Sequence, residues 1–217
     1  MHKTTISELG SCKDKEAEIW GWVFNKRSSG SLVFLQLRDG TGFCQAVVDK
    51  SAVGSEAWDA AEKITMESSV KVRGKVVEHP KQKQVFELQV LGIEIVQIAT
   101  EYPIAKKEHG VDFLLDHRHL WLRSKRPWAI MRIRDTVIRV MGEWFNDNGF
   151  IKIDSPILTA TSCEGTTELF EMDYFDLGKA YLSQSGQLYQ EAAVFAHGRV
   201  YDFGPVFRAE KSKTRRH

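Results

Sequence analysis

The chain has 217 residues, a formal net charge of +1 from 30 Lys and Arg against 29 Asp and Glu, and 42% hydrophobic residues. This length allows one large domain or two smaller ones, and the charge balance gives no electrostatic indication of a nucleic-acid partner. No apolar run approaches the roughly 20 residues that span a bilayer, and the opening MHKTTISELGSCKDKE has no apolar signal region, so we predict a cytoplasmic protein. Cys12, Cys44 and Cys163 are far apart and odd in number, which favours neither a disulfide framework nor a zinc cluster.

Residues 16–98 alternate between apolar and polar side chains, which predicts β-strands. The segments are EIWGWVFNKR, SLVFLQLRD, GFCQAVVD, SVKVRGKVVE and QVFELQVLGIEIVQ. Between the third and fourth segments, SEAWDAAEKI predicts a short helix with a serine cap. Five strands with one helix after the third is the order of an OB-fold, a barrel that commonly binds oligonucleotides across strands 2 and 3. A small antiparallel barrel without a ligand is the alternative.

The pattern changes after residue 100. Residues 101–123, with Pro103 and KKEHG, have no sustained period, and we interpret them as a hinge between domains at 1–100 and 124–217. A long amphipathic helix is predicted from Pro127 to about Asn148. Its apolar stripe is broad enough to pack on its own domain and also on a second subunit, with plain core packing as the alternative. The stripe comprises Ile130, Met131, Ile133, Val137, Ile138, Val140, Met141, Trp144 and Phe145.

The remaining segments predict strands at FIKIDSPIL, FEMDYF, KAYLSQS and RVYDFGPVFRAE, with QLYQEAAVFAH a helix before the last strand. In an extended strand, Arg208 and Glu210 share one side. The planar donors of an arginine match phosphate oxygens, so the pair is a candidate phosphate site, with a surface ion pair as the alternative.

Three of these segments carry a family resemblance. GPVFRAEKSKTRRH resembles motif 2 of the class II aminoacyl-tRNA synthetases, and the long helix with GFIKIDSPIL resembles their motif 1. The barrel, with GWV and FLQLRDGTGFCQAV, is similar to the anticodon-binding domain of the aspartate, asparagine and lysine subgroup. The implied fold class is α+β: a five-stranded OB-fold barrel followed by the first part of an antiparallel-sheet catalytic domain.

Within that subgroup, SCEGTTELF, LSQSGQLYQE and EKSKTRRH resemble the asparagine-specific members. Aspartate-specific members look like SPQLYKQ, where a lysine can hold a free carboxylate; here Gln190 takes the lysine position and Gly186 the proline position. The implied reaction activates asparagine with ATP and transfers it to tRNA(Asn). The alternatives are an aspartyl-tRNA synthetase, a truncated tRNA-binding module, and an amidating enzyme similar to asparagine synthetase.

The resemblance also implies roles for individual residues around ATP and the amino acid. Arg208 and Glu210 are the implied catalytic residues; Arg208 binds the α-phosphate. The implied ATP site consists of Arg208, Glu210, Arg216 and His217. The implied amino-acid site consists of Glu164, Glu168, Gln187, Gln190 and Glu191. Glu164 and Gln187 would hold the amino group, whereas Gln190 and Glu191 either distinguish amide from acid or lie behind the contacting residues.

For tRNA, the resemblance implies an anticodon site at Lys26, Arg27, Phe34 and Gln45. Phe34 would stack on the central uridine and Gln45 would hydrogen-bond it, while Lys26 and Arg27 follow the backbone phosphates; a core role for Phe34 is the alternative. The family's third motif and its Mg²⁺ ligands would lie beyond residue 217, so we expect no metal site here and no activation of asparagine by these residues alone. A homodimer through motif 1 is also implied.

Overall fold

The alternating N-terminal pattern forms a closed barrel in the computed structural model, which describes residues 2–104, 107–160 and 168–210. The barrel strands are β2 (Glu16–Ser29), β3 (Leu32–Arg38), β4 (Phe43–Asp49), β5 (Ser69–Glu78) and β6 (Phe86–Gln97), preceded by the short β1 (His2–Lys3). Their order is β1-β2-β3-β4-β6-β5, and β2 also pairs with β5, which closes the sheet. The predicted five-stranded OB-fold barrel is therefore confirmed.

Apolar residues from alternate strand positions fill the barrel. On β3, Val33, Leu35 and Leu37 are buried, while Phe34 and Gln36 between them are only half-buried. The core is completed by residues that are at most 2% exposed, including Ile19, Val23, Val48, Val70, Val72, Val76 and Leu88. Removal of this apolar surface from water is the main stabilising contribution, at about 25 cal/mol per Å².

Helix α1 (Ser55–Lys63) follows β4, as predicted, and contributes Trp58 and Ala61 to the core. Its N-cap is Gly54, without a side-chain hydrogen bond, so the predicted serine cap is wrong by one residue. A 3₁₀ helix at Ile6–Cys12 was not predicted, because its buried residues Ile6, Leu9 and Cys12 repeat over only 7 residues, too short a run to indicate a helix. Burial raises the pKa of the Cys44 thiol to about 12, which keeps it protonated and unreactive at neutral pH.

Two glycines permit the sharp approach of neighbouring strands. A Cβ on Gly21 would lie 2.4 Å from the carbonyl oxygen of Arg38, and one on Gly74 would lie 2.5 Å from that of Gln89. Real Cβ atoms essentially never lie this close to another heavy atom, so a side chain at either position would force the backbone apart.

A buried ion pair joins the end of β3 to the turn before β5. Arg38 Nη1 and Nη2 donate to Glu67 Oε1 and Oε2, both at 2.8 Å, and each residue is 6% exposed. The backbone N–H of Glu67 donates to the carbonyl of Val23 at 2.7 Å. The turn is therefore held both to β2 and to β3, through a two-pronged geometry that only an arginine provides.

The chain divides into two compact units, Met1–Asp116 and His117–His217. Helix α2 (Val111–Asp116) ends the first unit, and α3 (Arg118–Trp121) begins the second. Both lie in the segment predicted as a hinge; their 6 and 4 residues are too few to produce a detectable period. Helix α4 (Lys125–Asp147) matches its prediction to within a few residues.

Much of the α4 stripe is exposed. Ile133, Val137 and Trp144 are 65%, 51% and 56% exposed, whereas Phe145 stacks on Tyr201 with ring centroids 4.4 Å apart. Core packing within the described residues therefore accounts for only one edge of the stripe.

Short strands complete the second unit. They are β7 (Ile151–Lys152), β8 (Leu158–Thr159), β9 (Glu171–Asp173), β10 (Lys179–Leu182) and β11 (Val200–Tyr201), with α5 (Gln187–His197) between the last two. The three central strands form an antiparallel sheet in the order β8-β10-β9, and β11 pairs in parallel with β7. The prediction of one long strand through residue 210 is wrong: β11 ends at Tyr201, and Pro205 has no N–H to continue a ladder.

No helix in the described part of the chain is long and apolar enough to cross a membrane.

We expect Arg38→Met to lower the free energy of unfolding by about 3–5 kcal/mol, because the substitution removes the guanidinium that pairs with the buried Glu67 carboxylate. Urea unfolding followed by tryptophan fluorescence measures this loss. Adding Glu67→Gln should recover part of it, since a neutral amide costs less to bury.

The matched control is Lys13→Met, which removes the exposed ion pair of Lys13 with Glu78 in the same unit. It should leave the transition nearly unchanged. Equal losses from the two single variants would contradict the assigned importance of the buried pair.

Candidate functional site

The outer face of β2, β3 and β4 carries the first candidate site. Phe34 lies opposite Arg27 on β2, and Gln36 lies between Asn25 and Gln45 on the neighbouring strands. These five side chains line an open depression of about 240 Å³. Phe34 therefore faces outward rather than into the core, which argues against the alternative considered for it.

The depression combines an aromatic ring, a cation and amides. The Arg27 guanidinium carbon lies 4.7 Å from the centroid of the Phe34 ring, within cation–π range. Gln45 Nε2 donates to Glu87 Oε2 at 3.0 Å. An aromatic ring with a neighbouring cation suits a nucleobase and its phosphate, and the amides can hydrogen-bond a base edge.

Lys26 has a role that the sequence analysis missed. Its Nζ donates to the carbonyls of Ala61, Glu62 and Ile64 at 3.0, 2.6 and 3.0 Å, at the C-terminus of α1. A cation there satisfies the unpaired carbonyls and the negative end of the helix dipole. Burial lowers the pKa of Lys26, since the ammonium is partly withdrawn from water. The predicted phosphate contact of Lys26 remains untested, but this geometry favours a structural role.

In the second unit, one side of α5 and the end of β11 line an open cavity of about 550 Å³. It brings together Gln187, Gln190 and Glu191, as the sequence analysis predicted for the amino-acid site. Gln187 Nε2 donates to Glu191 Oε1 at 2.9 Å. The other lining residues are Val194, Phe195, Val200, Tyr201 and Asp202.

Gln190 is tied to the backbone as well as to this cavity. Its Nε2 donates to the carbonyl of Ile153 at 3.1 Å, and its Oε1 is buried with no hydrogen-bond partner among the described residues. The side chain therefore anchors α5 to the segment after β7 and retains one acceptor. Its contact with a substrate amide remains a prediction.

Gly186, the N-cap of α5, is required by space rather than by its backbone angles. Its φ of −82° suits any residue, but a Cβ would lie 2.1 Å from Asp202 Oδ2 and 2.4 Å from Ser155 Oγ. Asp202 was not predicted as a site residue, because no local sequence pattern shows that positions 186 and 202 meet.

The remaining predicted residues are spread over other parts of the unit. Arg208 Nη1 lies 3.8 Å from Glu210 Oε1, and the two side chains are 55% and 50% exposed. The two side chains lie near each other although residues 208–210 are not part of a β-strand. Their exposure leaves both accessible to a ligand. Glu168 is exposed and does not line the cavity. The predictions for Glu164, Arg216 and His217 lie outside the described residues.

Two family models match the chain. A family described as tRNA synthetases class II (D, K and N) matches residues 110–217, and one described as OB-fold nucleic acid binding domain matches residues 18–96.

Solved structures cover the whole chain. Asparaginyl-tRNA synthetase from Pyrococcus horikoshii, complexed with asparaginyl-adenylate, is 40% identical with a TM-score of 0.90, covering 100% of this chain and 50% of that chain. The Entamoeba histolytica asparaginyl-tRNA synthetase complexed with asparaginyl-adenylate is 26% identical with a TM-score of 0.83, covering 99% and 50%. A putative aspartyl-tRNA synthetase from Leishmania major Friedlin is 28% identical with a TM-score of 0.78, covering 99% and 45%. The chain thus spans about half the length of the structures it matches.

We expect Gly186→Ala to destabilise the second unit by about 1–3 kcal/mol, since the new methyl group must displace Asp202 or Ser155. Thermal unfolding of the intact protein measures the change. Gly142→Ala is the control in the same unit, because a Cβ there would meet only Tyr201 Oη at 3.8 Å. An equal effect of both substitutions would contradict the steric account of Gly186.

Proposed function

Because this chain belongs to the class II tRNA synthetase family of the D, K and N group, with an OB-fold nucleic acid binding domain, we propose that its protein ligates asparagine to tRNA(Asn). The reaction has two steps: the asparagine carboxylate attacks the α-phosphate of ATP and releases pyrophosphate, and a terminal ribose hydroxyl of the tRNA then takes the asparaginyl group from the adenylate and releases AMP.

The charge of the α5 cavity is the observation that carries the choice of asparagine. Its described lining contains amides and the carboxylates of Glu191 and Asp202, but no lysine or arginine. A substrate side chain that is itself a carboxylate would find no counter-charge among these residues, whereas an amide can pair with Gln190 or Glu191. The asparaginyl-tRNA synthetases among the solved structures support the same choice.

In the activation step the protein's work is positioning and charge stabilisation. Gln187, with its amide oxygen as acceptor, and Glu164 would hold the α-ammonium of asparagine. The exposed guanidinium of Arg208 would bind the α-phosphate, where charge accumulates during in-line attack, with Glu210, Arg216 and His217 around ATP.

Enzymes of this family also use Mg²⁺, which neutralises phosphate charge when bound. Within the described segments, no group of three His, Cys, Asp or Glu side chains could hold a metal ion. The expectation that these 217 residues alone do not activate asparagine remains a prediction.

For tRNA, Phe34 would stack on the central anticodon uridine and Gln45 would hydrogen-bond its edge, with Arg27 beside the backbone phosphate. The outward placement of these side chains in one depression supports this assignment.

A homodimer through α4 completes the proposal. Its support is the exposed apolar face of α4, where burial against a second copy would remove the surface of Ile133, Val137 and Trp144 from water. The cytoplasm, as the compartment of translation, is the proposed location.

Aspartate is the second candidate substrate, because a putative aspartyl-tRNA synthetase matches at 28% identity. Pyrophosphate exchange by the intact protein distinguishes the candidates, and we expect asparagine to support it far better than aspartate. Activation of aspartate alone would overturn the proposal.

Gln190→Lys should shift the ratio of kcat/KM for asparagine over aspartate toward aspartate by about tenfold or more, because the ammonium supplies the missing counter-charge. Tyr189→Lys adds the same charge to α5 at a position that does not line the cavity, and it should leave the ratio unchanged. An unchanged ratio in Gln190→Lys would remove Gln190 from the specificity site.

Phe34→Ala should weaken tRNA binding by about 5- to 150-fold, the equivalent of one lost base stack, while adenylate formation by the intact protein is unchanged. Filter binding and pyrophosphate exchange measure the two effects. Trp20→Ala removes an exposed aromatic of the same barrel outside the depression and should bind tRNA normally. Loss of both activities in Phe34→Ala would indicate misfolding and contradict a role confined to tRNA.

A further inference from the structure

The backbone of Ala99 is held on both sides at the point where the chain leaves the barrel. Ala99 lies just after the end of β6 at Gln97. Its carbonyl oxygen accepts a hydrogen bond from Thr65 Oγ1 at 2.6 Å, and its N–H donates to Ser68 Oγ at 3.2 Å. The two hydroxyls also lie 2.9 Å apart, within hydrogen-bond distance of each other. Side chains of the turn before β5 therefore bind both polar backbone groups of this residue.

The turn that supplies these hydroxyls is held in an unfavourable conformation. Glu67 has a φ of 66°, in the left-handed region that residues other than glycine rarely adopt. Such a conformation persists only where the surrounding structure fixes it. Here the ion pair with Arg38 and the hydrogen bond from the Glu67 N–H to the carbonyl of Val23 fix it, and Ser68 is fully buried. The barrel thus holds in place the turn that binds Ala99.

The contact with Ala99 lies beyond the pairing that closes the barrel. The last paired position of β6 is Gln97, opposite Ser69 on β5, so the sheet is complete before Ala99. Hydrogen bonds to its N–H and to its carbonyl fix both the position and the orientation of the backbone there. The chain then continues toward the second unit, which begins at His117. The turn therefore fixes the direction in which the chain leaves the barrel.

We propose that Thr65 and Ser68 are positioning residues for transfer of the asparaginyl group, because they fix the exit of the chain at Ala99. This rests on the proposed function, in which one tRNA binds the barrel with its anticodon and the second unit with its terminal ribose. When one ligand makes two linked contacts, the second contact depends on the freedom of the link. Loss of these hydroxyls would lower the fraction of bound tRNA whose ribose reaches the adenylate.

Three measurements on the intact protein isolate this effect. Fluorescence anisotropy with an anticodon stem-loop measures binding to the barrel, and pyrophosphate exchange measures adenylate formation. Single-turnover transfer from preformed adenylate at saturating tRNA measures positioning. Thr65→Val removes the hydroxyl and keeps the shape of the side chain. We expect it to slow transfer by about 2- to 12-fold, the equivalent of one hydrogen bond, and to leave the other two measurements at their native values.

Thr65→Ser and Thr41→Val are the matched controls. Thr65→Ser keeps the hydroxyl that binds Ala99 and should transfer at the native rate. Thr41 Oγ1 donates to Asp39 Oδ1 at 2.7 Å and accepts from the N–H of Ser7 at 3.1 Å, in the same barrel. Thr41→Val therefore removes a hydroxyl with two partners away from the exit, and it should leave all three measurements unchanged.

Ser68→Ala extends the test to the case in which Thr65→Val folds poorly. It removes the acceptor of the Ala99 N–H and should slow transfer selectively, as Thr65→Val does. Urea unfolding followed by tryptophan fluorescence establishes that the variant used is folded.

The outcomes separate the inference from the function beneath it. A native protein that neither binds the stem-loop nor exchanges pyrophosphate with asparagine removes the proposed function and the inference with it. A functional native protein with unchanged transfer in folded Thr65→Val or Ser68→Ala overturns the inference alone. Proportional loss of binding, adenylate formation and transfer also overturns it, because the turn would then support the fold as a whole. Slow transfer by Thr65→Ser would equally contradict the role of the hydroxyl.

Discussion

Closure of the barrel through β2 is the constraint on which the first unit depends. The first half of β2, Glu16–Trp22, pairs with β5, and the second half, Trp22–Ser29, pairs with β3. A single strand therefore joins the two ends of the sheet and closes the barrel. Where it changes partner, Gly21 lets the strand pass against the carbonyl of Arg38. The side chain of the same arginine pairs with the buried Glu67, whose backbone N–H donates to Val23 on β2. The position of β3 relative to β2 is therefore held both by backbone contact and by this ion pair.

The candidate nucleic-acid surface follows from that arrangement. Once β2 and β3 are in register, Arg27 lies beside Phe34, and β4 then sets Gln45 opposite Gln36. The adjacent Lys26 binds the end of α1 instead of solvent. Two consecutive basic residues thus serve different purposes, one inside the fold and one on its surface.

How far the sequence could predict these features depended on their periodicity. The barrel has long alternating strands and was predicted almost to the residue, as were the α4 and α5 helices. The role of Lys26 was missed because a register shift between Val23 and Asn25 changes which side chains face outward, and alternation alone does not reveal a bulge. In the second unit the strands are two to four residues long, too short for a period, and the predictions extended them too far. The contact of Gly186 with Asp202 joins positions that share no local pattern, so only the folded chain reveals it.

That contact also constrains the order in which this pocket can change. A proline or any larger residue at position 186 would place a carbon against the Asp202 carboxylate, and Ser155 stands in the same space. A proline-containing helix start therefore requires the Asp202 and Ser155 side chains to be moved or shortened. Substitutions at positions 155, 186 and 202 are therefore expected to be non-additive, because each changes the space that the other two side chains can occupy.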